Sequence, residues 1–303
     1  MEIEYLEQLK AYIITNRKLS SDFGKFSKIY NMTTENIYGF LKNYDLKDKR
    51  ILSVAGSGDQ RLNAYLLGAK EVTCFDINPL TKLHLDLKDS AIANINFEKF
   101  LNFFNIYSRK YGSFFGALDF RIYDEFKDSL DSNTRYLFDE IINNSEISEK
   151  SIYFDFLNDV RILENMNGYL TPDTYEKMST IIKKQRINFI ESSIDELSSK
   201  LNGDKFDMIL LSNISDYIHK IYGENGLEEY RKVIDKLTDN LELYGIMQVG
   251  YIYANYSKYD DVGNFRISSE RNKYFPCNEF YSVVVDSYQE GYKDKVITYH
   301  KLK

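Results

Sequence analysis

Tryptophan is absent from this 303-residue sequence, and proline, histidine and cysteine are scarce, at three, three and two copies. Cys74 falls inside an expected strand and Cys277 follows a proline, with no CxxC spacing, so neither a disulfide framework nor a zinc site is indicated. His84, His219 and His300 are scattered, and a lone histidine is more often a packing or surface residue than a metal ligand, so no metal is expected. No stretch approaches the roughly 18 consecutive apolar residues that a membrane span needs. The first residues, MEIEYLEQLK, lack the basic-then-apolar order of a secretory signal, so the chain reads as cytoplasmic. Positive charge is also short: the net charge of −7 works against a nucleic-acid partner, because such affinity comes largely from clustered cations. The run Lys183, Lys184, Arg186 is too brief to reverse that and reads as a solvated helix end.

The length suffices for one large α/β domain or two small ones with a real hydrophobic core. Helical spacing fills residues 2–45, with Leu6, Leu9, Ile13 and Ile14 and later Ile37, Phe40 and Leu41 on apolar stripes. In the string MTTEN, Thr33 or Thr34 is the expected cap of the second of these helices. The segment ILSVAGSGD at 51–59 then sets an apolar strand against a glycine turn, and a helix follows to a stop at Gly68. A second strand, VTCFDIN at 72–78, leads through Pro79 into a long helix carrying Leu80, Leu83, Leu87, Ala91 and Ile95. This β-α-β-α order opens a doubly wound sheet.

Residues 97–186 show aromatic helical runs and no strand signal, which predicts a helical insertion large enough to roof a cleft. The alternating pattern returns with INFIESSIDEL at 187–197, FDMILLSNISDYI at 206–218 and GIMQVGYIYA at 245–254, the third, fourth and fifth strands, with a helix from Leu227 to Leu241 before the last of them. A final pair, 281–288 and 295–301, is separated by QEGYKD, a turn suited to a hairpin. With neither a repeat nor a linker, the expectation is a single α/β domain: a Rossmann-like sheet of about seven strands whose last hairpin is antiparallel. N-terminal helices (1–48) precede it and the 97–186 insertion interrupts it.

Small residues Ala55, Gly56, Ser57 and Gly58, with Asp59 after them, let the backbone approach a ligand at a helix N-terminus. Asp76 closes the second strand at about the 20-residue offset where a carboxylate meets ribose hydroxyls, with Ile77 and Asn78 beside it. Arg61 stands where a dinucleotide fingerprint would carry its third glycine, which favours a nucleoside without pyrophosphate over NAD. Asp195 after the third strand and Ser212, Asn213 and Asp216 after the fourth lie at strand ends where ligands of such sheets bind. Asp195 has an equally good structural reading, as the start of a helix capped by Ser193.

These residues resemble the class I S-adenosylmethionine-dependent methyltransferase fold over 51–96 and 187–301. More narrowly, GSGDQ and DINPLTKLHLDLKDSAIANINFEKFLNFF resemble the betaine-lipid synthases that transfer a 3-amino-3-carboxypropyl group to diacylglycerol. The resemblance implies S-adenosylmethionine as cofactor, held by Ala55–Asp59, Asp76–Asn78, Asp195, Ser212 and Asn213. It implies a small-molecule or lipid acceptor, with room for peripheral membrane contact, positioned or deprotonated by Asp216 or Tyr217. Transfer of the aminocarboxypropyl group is slightly favoured over methyl transfer. In that family an aromatic-acidic string precedes the first strand, and Glu35 of TTEN is its nearest equivalent here, without the tryptophan. Ser53 stands where many methyltransferases carry an acid, which leaves the methionyl amino group to another residue. The rival readings are a nucleotide-dependent oxidoreductase and a non-catalytic Rossmann-like binding module.

Overall fold

The computed structural model describes residues 3–16, 24–104, 106, 120–143, 152–153, 160–216, 222–254, 280–287 and 291–302. Seven strands, β1 (Arg50–Val54), β2 (Glu71–Asp76), β3 (Asn188–Glu191), β4 (Phe206–Leu210), β5 (Leu241–Ile252), β6 (Phe280–Asp286) and β7 (Lys293–His300), join in the order β3-β2-β1-β4-β5-β7-β6. The first five pair in parallel, and β7 runs antiparallel to both β5 and β6. This is the expected seven-stranded, doubly wound sheet with its antiparallel hairpin.

Alternation along the strands divides the core between the two faces. Ile51, Val72, Cys74, Met208 and Leu210 pack toward α2 (Ile37–Leu41), α3 (Asp59–Leu66) and α4 (Pro79–Asn94). Leu52, Phe75, Ile209 and Met247 pack toward two helices on the other face, Ile194–Lys200 and Gly226–Leu237. Winding therefore reverses between β1 and β4, and a crevice opens beyond their carboxyl ends. Burial pushes the Cys74 thiol up to about 12, so it is an inert core group. His84 is equally internal: its ring packs edge-on against Phe104 and Tyr153, and burial depresses its pKa so that it stays neutral.

Several boundaries differ from expectation for local reasons. Asn36, not Thr33 or Thr34, caps α2: its Oδ1 accepts from the Gly39 N–H at 2.7 Å. The threonines are engaged elsewhere, Thr33 Oγ1 by the Glu35 N–H and Thr34 Oγ1 by Tyr253. The helix from Gly226 ends at Leu237, and β5 starts at Leu241. Its pairing jumps from Leu241 to Ile246 while β4 advances only from Phe206 to Met208, with Tyr244 at φ 64° inside the jump. The helix from Ile194 has Ser193 at its N-cap position, but that side chain makes no capping bond.

In the insertion, α5 (Phe97–Phe103), α6 (Phe120–Tyr123), α7 (Ser132–Asn143), α8 (Val160–Met166) and α9 (Pro172–Ile182) are described. Phe100, Phe103, Phe104, Tyr123, Phe126, Phe138, Tyr169 and Tyr175 enter the same core as the sheet, with ring centroids as close as 4.8 Å. The aromatic bias of this stretch is thus spent on packing. Among the described residues no helix is long and apolar enough to cross a membrane.

Candidate functional site

Beyond β1 the chain turns within four residues: the Gly58 N–H donates to Ala55 O at 2.7 Å and the Ala55 N–H to Phe75 O at 2.8 Å. Gly56 and Gly58 take φ of 49° and 83°, the left-handed region that favours glycine. Their surroundings differ. A Cβ on Gly56 would meet nothing within 4 Å, whereas one on Gly58 would stand 2.6 Å from Leu85 Cδ2. Gly56 therefore fronts open space, and Gly58 lets α3 start against α4.

Asp76 reaches that turn. Its Oδ2 accepts from the Gly56 N–H at 3.2 Å and its Oδ1 from the Asn78 N–H at 3.0 Å. Burial pushes its carboxyl up to about 6, against the hydrogen bonds that favour ionisation. Asn78 is buried; it caps α4 through Leu80 N and donates to Ser27 O, so its side chain serves the fold. Ile77 is 40% exposed, an aliphatic surface next to the carboxylate.

Beyond β4, Ser212 holds φ 55°, unusual for a residue with a side chain. Gln248 of β5 fixes it from both sides, accepting from the Ser212 N–H at 2.9 Å and donating to Ser212 O at 3.2 Å. Ser212 Oγ donates to Glu35 Oε1 at 2.5 Å. Asp216 closes a short 3-10 turn, Ile214–Asp216, and Tyr217 lies outside the described residues. Asp195 is exposed in the first turn of the helix from Ile194, beyond β3.

Across these loops runs an N-terminal strap, residues 29–36. It is pinned from below by Asp59, whose carboxylate accepts from the Thr33 N–H (2.6 Å), Ser57 Oγ (2.9 Å), Tyr169 O–H (2.6 Å) and Lys88 Nζ (3.0 Å). Lys88 Nζ also donates to Asn31 O and Ser57 O, at 2.8 and 2.7 Å. From the far side, Tyr251 O–H accepts the Asn36 N–H and donates to Asp294, both at 2.8 Å.

The Asp59 side chain is 0% exposed, and its oxygens bind the strap and the core. The cleft encloses about 390 Å³, its open mouth included, and is lined by Tyr30, Thr33–Glu35, Val54–Ser57, Gln60, Ser212, Asn213 and Tyr253. Of the expected site residues, Ala55, Gly56, Ser57, Ser212 and Asn213 meet there, Asp76 touches it through Gly56, and Asp195 stands off on its own strand end. No lining residue comes from 97–186 among those described, so the visible cover is the strap rather than the insertion. Tyr30, Gln60 and Tyr253 escaped sequence reasoning. Gln60 lies two residues past Gly58, in the first turn of α3, and accepts Ser53 Oγ at 2.6 Å, a position the GSGDQ string could have flagged.

No family model and no curated protein matches the chain. Solved structures similar to it include a ribosomal protein L11 methylase from Lactobacillus delbrueckii subsp. bulgaricus, at 12% identity over 88% of this chain and 75% of that one, with a TM-score of 0.34. An rRNA methylase from Streptococcus thermophilus is 10% identical over 88% of this chain and 93% of its own, with a TM-score of 0.33. An rRNA methyltransferase from Streptomyces viridochromogenes is 10% identical over 84% and 78%, with a TM-score of 0.34. The class defined by the chain's own strand order and turn is an open, doubly wound α/β fold with a crevice at its switch point.

Proposed function

We propose that this chain is an S-adenosylmethionine-dependent transferase. The observation that carries the reading is the contact between Asp76 and Gly56: a carboxylate at the end of β2 beside a side-chain-free backbone at the end of β1. One carboxylate oxygen accepts the Gly56 N–H and the other the Asn78 N–H, and the paired oxygens suit the two hydroxyls of a ribose. Ile77 offers an apolar surface for a base, and Gly56 and Ser57 let a methionyl chain lie close to the backbone. When bound, the cofactor supplies a sulfonium, an already activated leaving group. The chain's own task is to bind, align an acceptor with one carbon and exclude water.

The oxidoreductase rival loses ground at Arg61. Where a dinucleotide site would have glycine, this side chain is buried and bonds Asp89 at 2.7 Å, filling the space between α3 and α4. A small-molecule or lipid acceptor accords with a cleft whose lining, among the described residues, includes no lysine or arginine.

Isothermal titration tests the proposal. Saturable binding of S-adenosylmethionine, no comparable binding of NAD, and severe weakening in Asp76→Ala are expected; a variant binding as tightly as the parent removes the ribose role. Product analysis with an acceptor then reads the chemistry, methylthioadenosine marking aminocarboxypropyl transfer and S-adenosylhomocysteine marking methylation.

A further inference from the structure

β1 brings no charge to the cleft. Ser53 is fully buried, and its hydroxyl is committed to Gln60 Oε1 at 2.6 Å and to Val54 O at 2.9 Å. The one formally charged side chain among the described lining residues arrives from the strap: Glu35, 2% exposed, beside Gly56, Ser57, Ser212 and Asn213. Its backbone is fixed on both sides, the Glu35 N–H donating to Thr33 Oγ1 at 3.1 Å and Glu35 O accepting the Ile37 N–H at 2.8 Å. Ser212 Oγ holds the carboxylate in place at 2.5 Å, and Ser212 keeps a left-handed backbone while doing so.

A carboxylate set this deep acts on a ligand through a low local dielectric, so a cation entering the cleft gains more from it than at the surface. We propose that Glu35 is the ammonium-binding residue of the site, taking the α-amino group of the cofactor's methionyl chain in place of an acid on β1. This rests on the transferase reading above. A primary ammonium suits the position because it has three donors and needs acceptors, and Glu35 offers a carboxylate already held by Ser212. Specificity then comes from the strap: nucleosides with an ammonium tail are selected over nucleosides without one.

The test compares two nucleosides by isothermal titration. S-adenosylhomocysteine carries the ammonium and a neutral thioether, so a sulfonium cannot contribute; 5′-methylthioadenosine lacks the ammonium. Glu35→Gln, which keeps shape and can still accept from Ser212, should weaken S-adenosylhomocysteine by about tenfold to a hundredfold, the worth of a hydrogen bond to a charged group. It should leave 5′-methylthioadenosine unchanged within about twofold. Ser212→Ala should give a smaller loss with the same selectivity, and thermal melts of both variants verify folding. Equal weakening of the two nucleosides, or of neither, overturns the assignment while leaving the transferase reading intact. If the parent binds neither nucleoside, the transferase reading itself fails, a distinct result visible before any variant is made.

Discussion

Asp59 and Lys88 form an ion pair 3.0 Å long directly under the glycine turn, and neither side chain reaches solvent. Burial pulls the Lys88 ammonium below its ordinary range, and the carboxylate beside it works the other way. The pair also closes a loop of bonds through Ser57 O, Asn31 O and the Thr33 N–H, so it joins the glycine turn to the strap. Removing one partner strands the other in a low dielectric. Lys88→Met and Asp59→Asn should each cost about 3–5 kcal/mol of stability in urea denaturation. The double variant should cost less than the sum by more than about 1 kcal/mol, since the two are directly coupled. Additive losses would show that they act separately.

The two glycines of the turn should separate function from folding. Gly56→Ala places a methyl in open space at φ 49°, at a strain cost of about 1–2 kcal/mol, and projects it where a ligand must come close. Gly58→Ala adds to comparable strain a Cβ that displaces Leu85 Cδ2. Melting should therefore fall further for Gly58→Ala, while S-adenosylmethionine affinity, measured well below both transitions, should fall further for Gly56→Ala. The reverse ranking would mean that the open space before Gly56 is not the ligand path.

The fold was legible because local signals agreed with one another: buried β-rich runs such as Ile51–Val54 and Val72–Phe75, a helix stop at Gly68 with φ 98°, and Pro79 opening α4 behind a capping asparagine. The site was legible only where it is local. Gly56 and Asp76 could be joined because strand pairing sets Val54 against Phe75, a register that sequence spacing anticipates. The strap could not. Thr33 and Thr34 read as helix caps and Glu35 as the remnant of an acidic string, and the partners that fix all three, Asp59, Tyr253 and Ser212, lie far along the chain. The partners of Asp59 were hidden for the same reason: Lys88 and Tyr169, which fold back onto its carboxylate, lie 29 and 110 residues further along the chain.

Tyr251 anchors the far end of the strap. Its hydroxyl accepts from the Asn36 N–H and donates to Asp294 Oδ2, whose other oxygen accepts from the Ala254 N–H at 2.8 Å. Tyr251→Phe deletes both bonds at once and leaves a buried N–H and a carboxylate oxygen short of a partner, a loss of about 2–4 kcal/mol. Because the next residue back is Glu35, S-adenosylhomocysteine binding should weaken more than 5′-methylthioadenosine binding. Tyr253→Phe, which deletes the exchange with Thr34 Oγ1, should cost less stability. Equal costs in chemical denaturation would count against a special anchoring role for Tyr251.

Asp76 should trade stability for binding. Its carboxyl titrates at about 6 in the fold against 3.8 in an unstructured chain, so the native state holds this proton more tightly than the unfolded one. Between about pH 4 and pH 6 the folded chain carries more protons here, and stability must fall as pH rises through that window. Above it the ionised group costs about 3 kcal/mol, at about 1.4 kcal/mol for each unit of displacement. Asp76→Asn should therefore melt higher than the parent at pH 7 and show no such advantage near pH 4, a comparison that also cancels Asp86, whose carboxyl lies near 6 for its own burial. Ligand binding runs the opposite way. On the proposed ribose role, the sugar hydroxyls would donate to the ionised carboxylate, so S-adenosylmethionine affinity should climb as pH rises through about 6 and level off above it. In Asp76→Asn that rise should vanish along with most of the affinity. A variant that gains stability at pH 7 yet keeps the parent's affinity and pH profile would show that the sugar is held elsewhere.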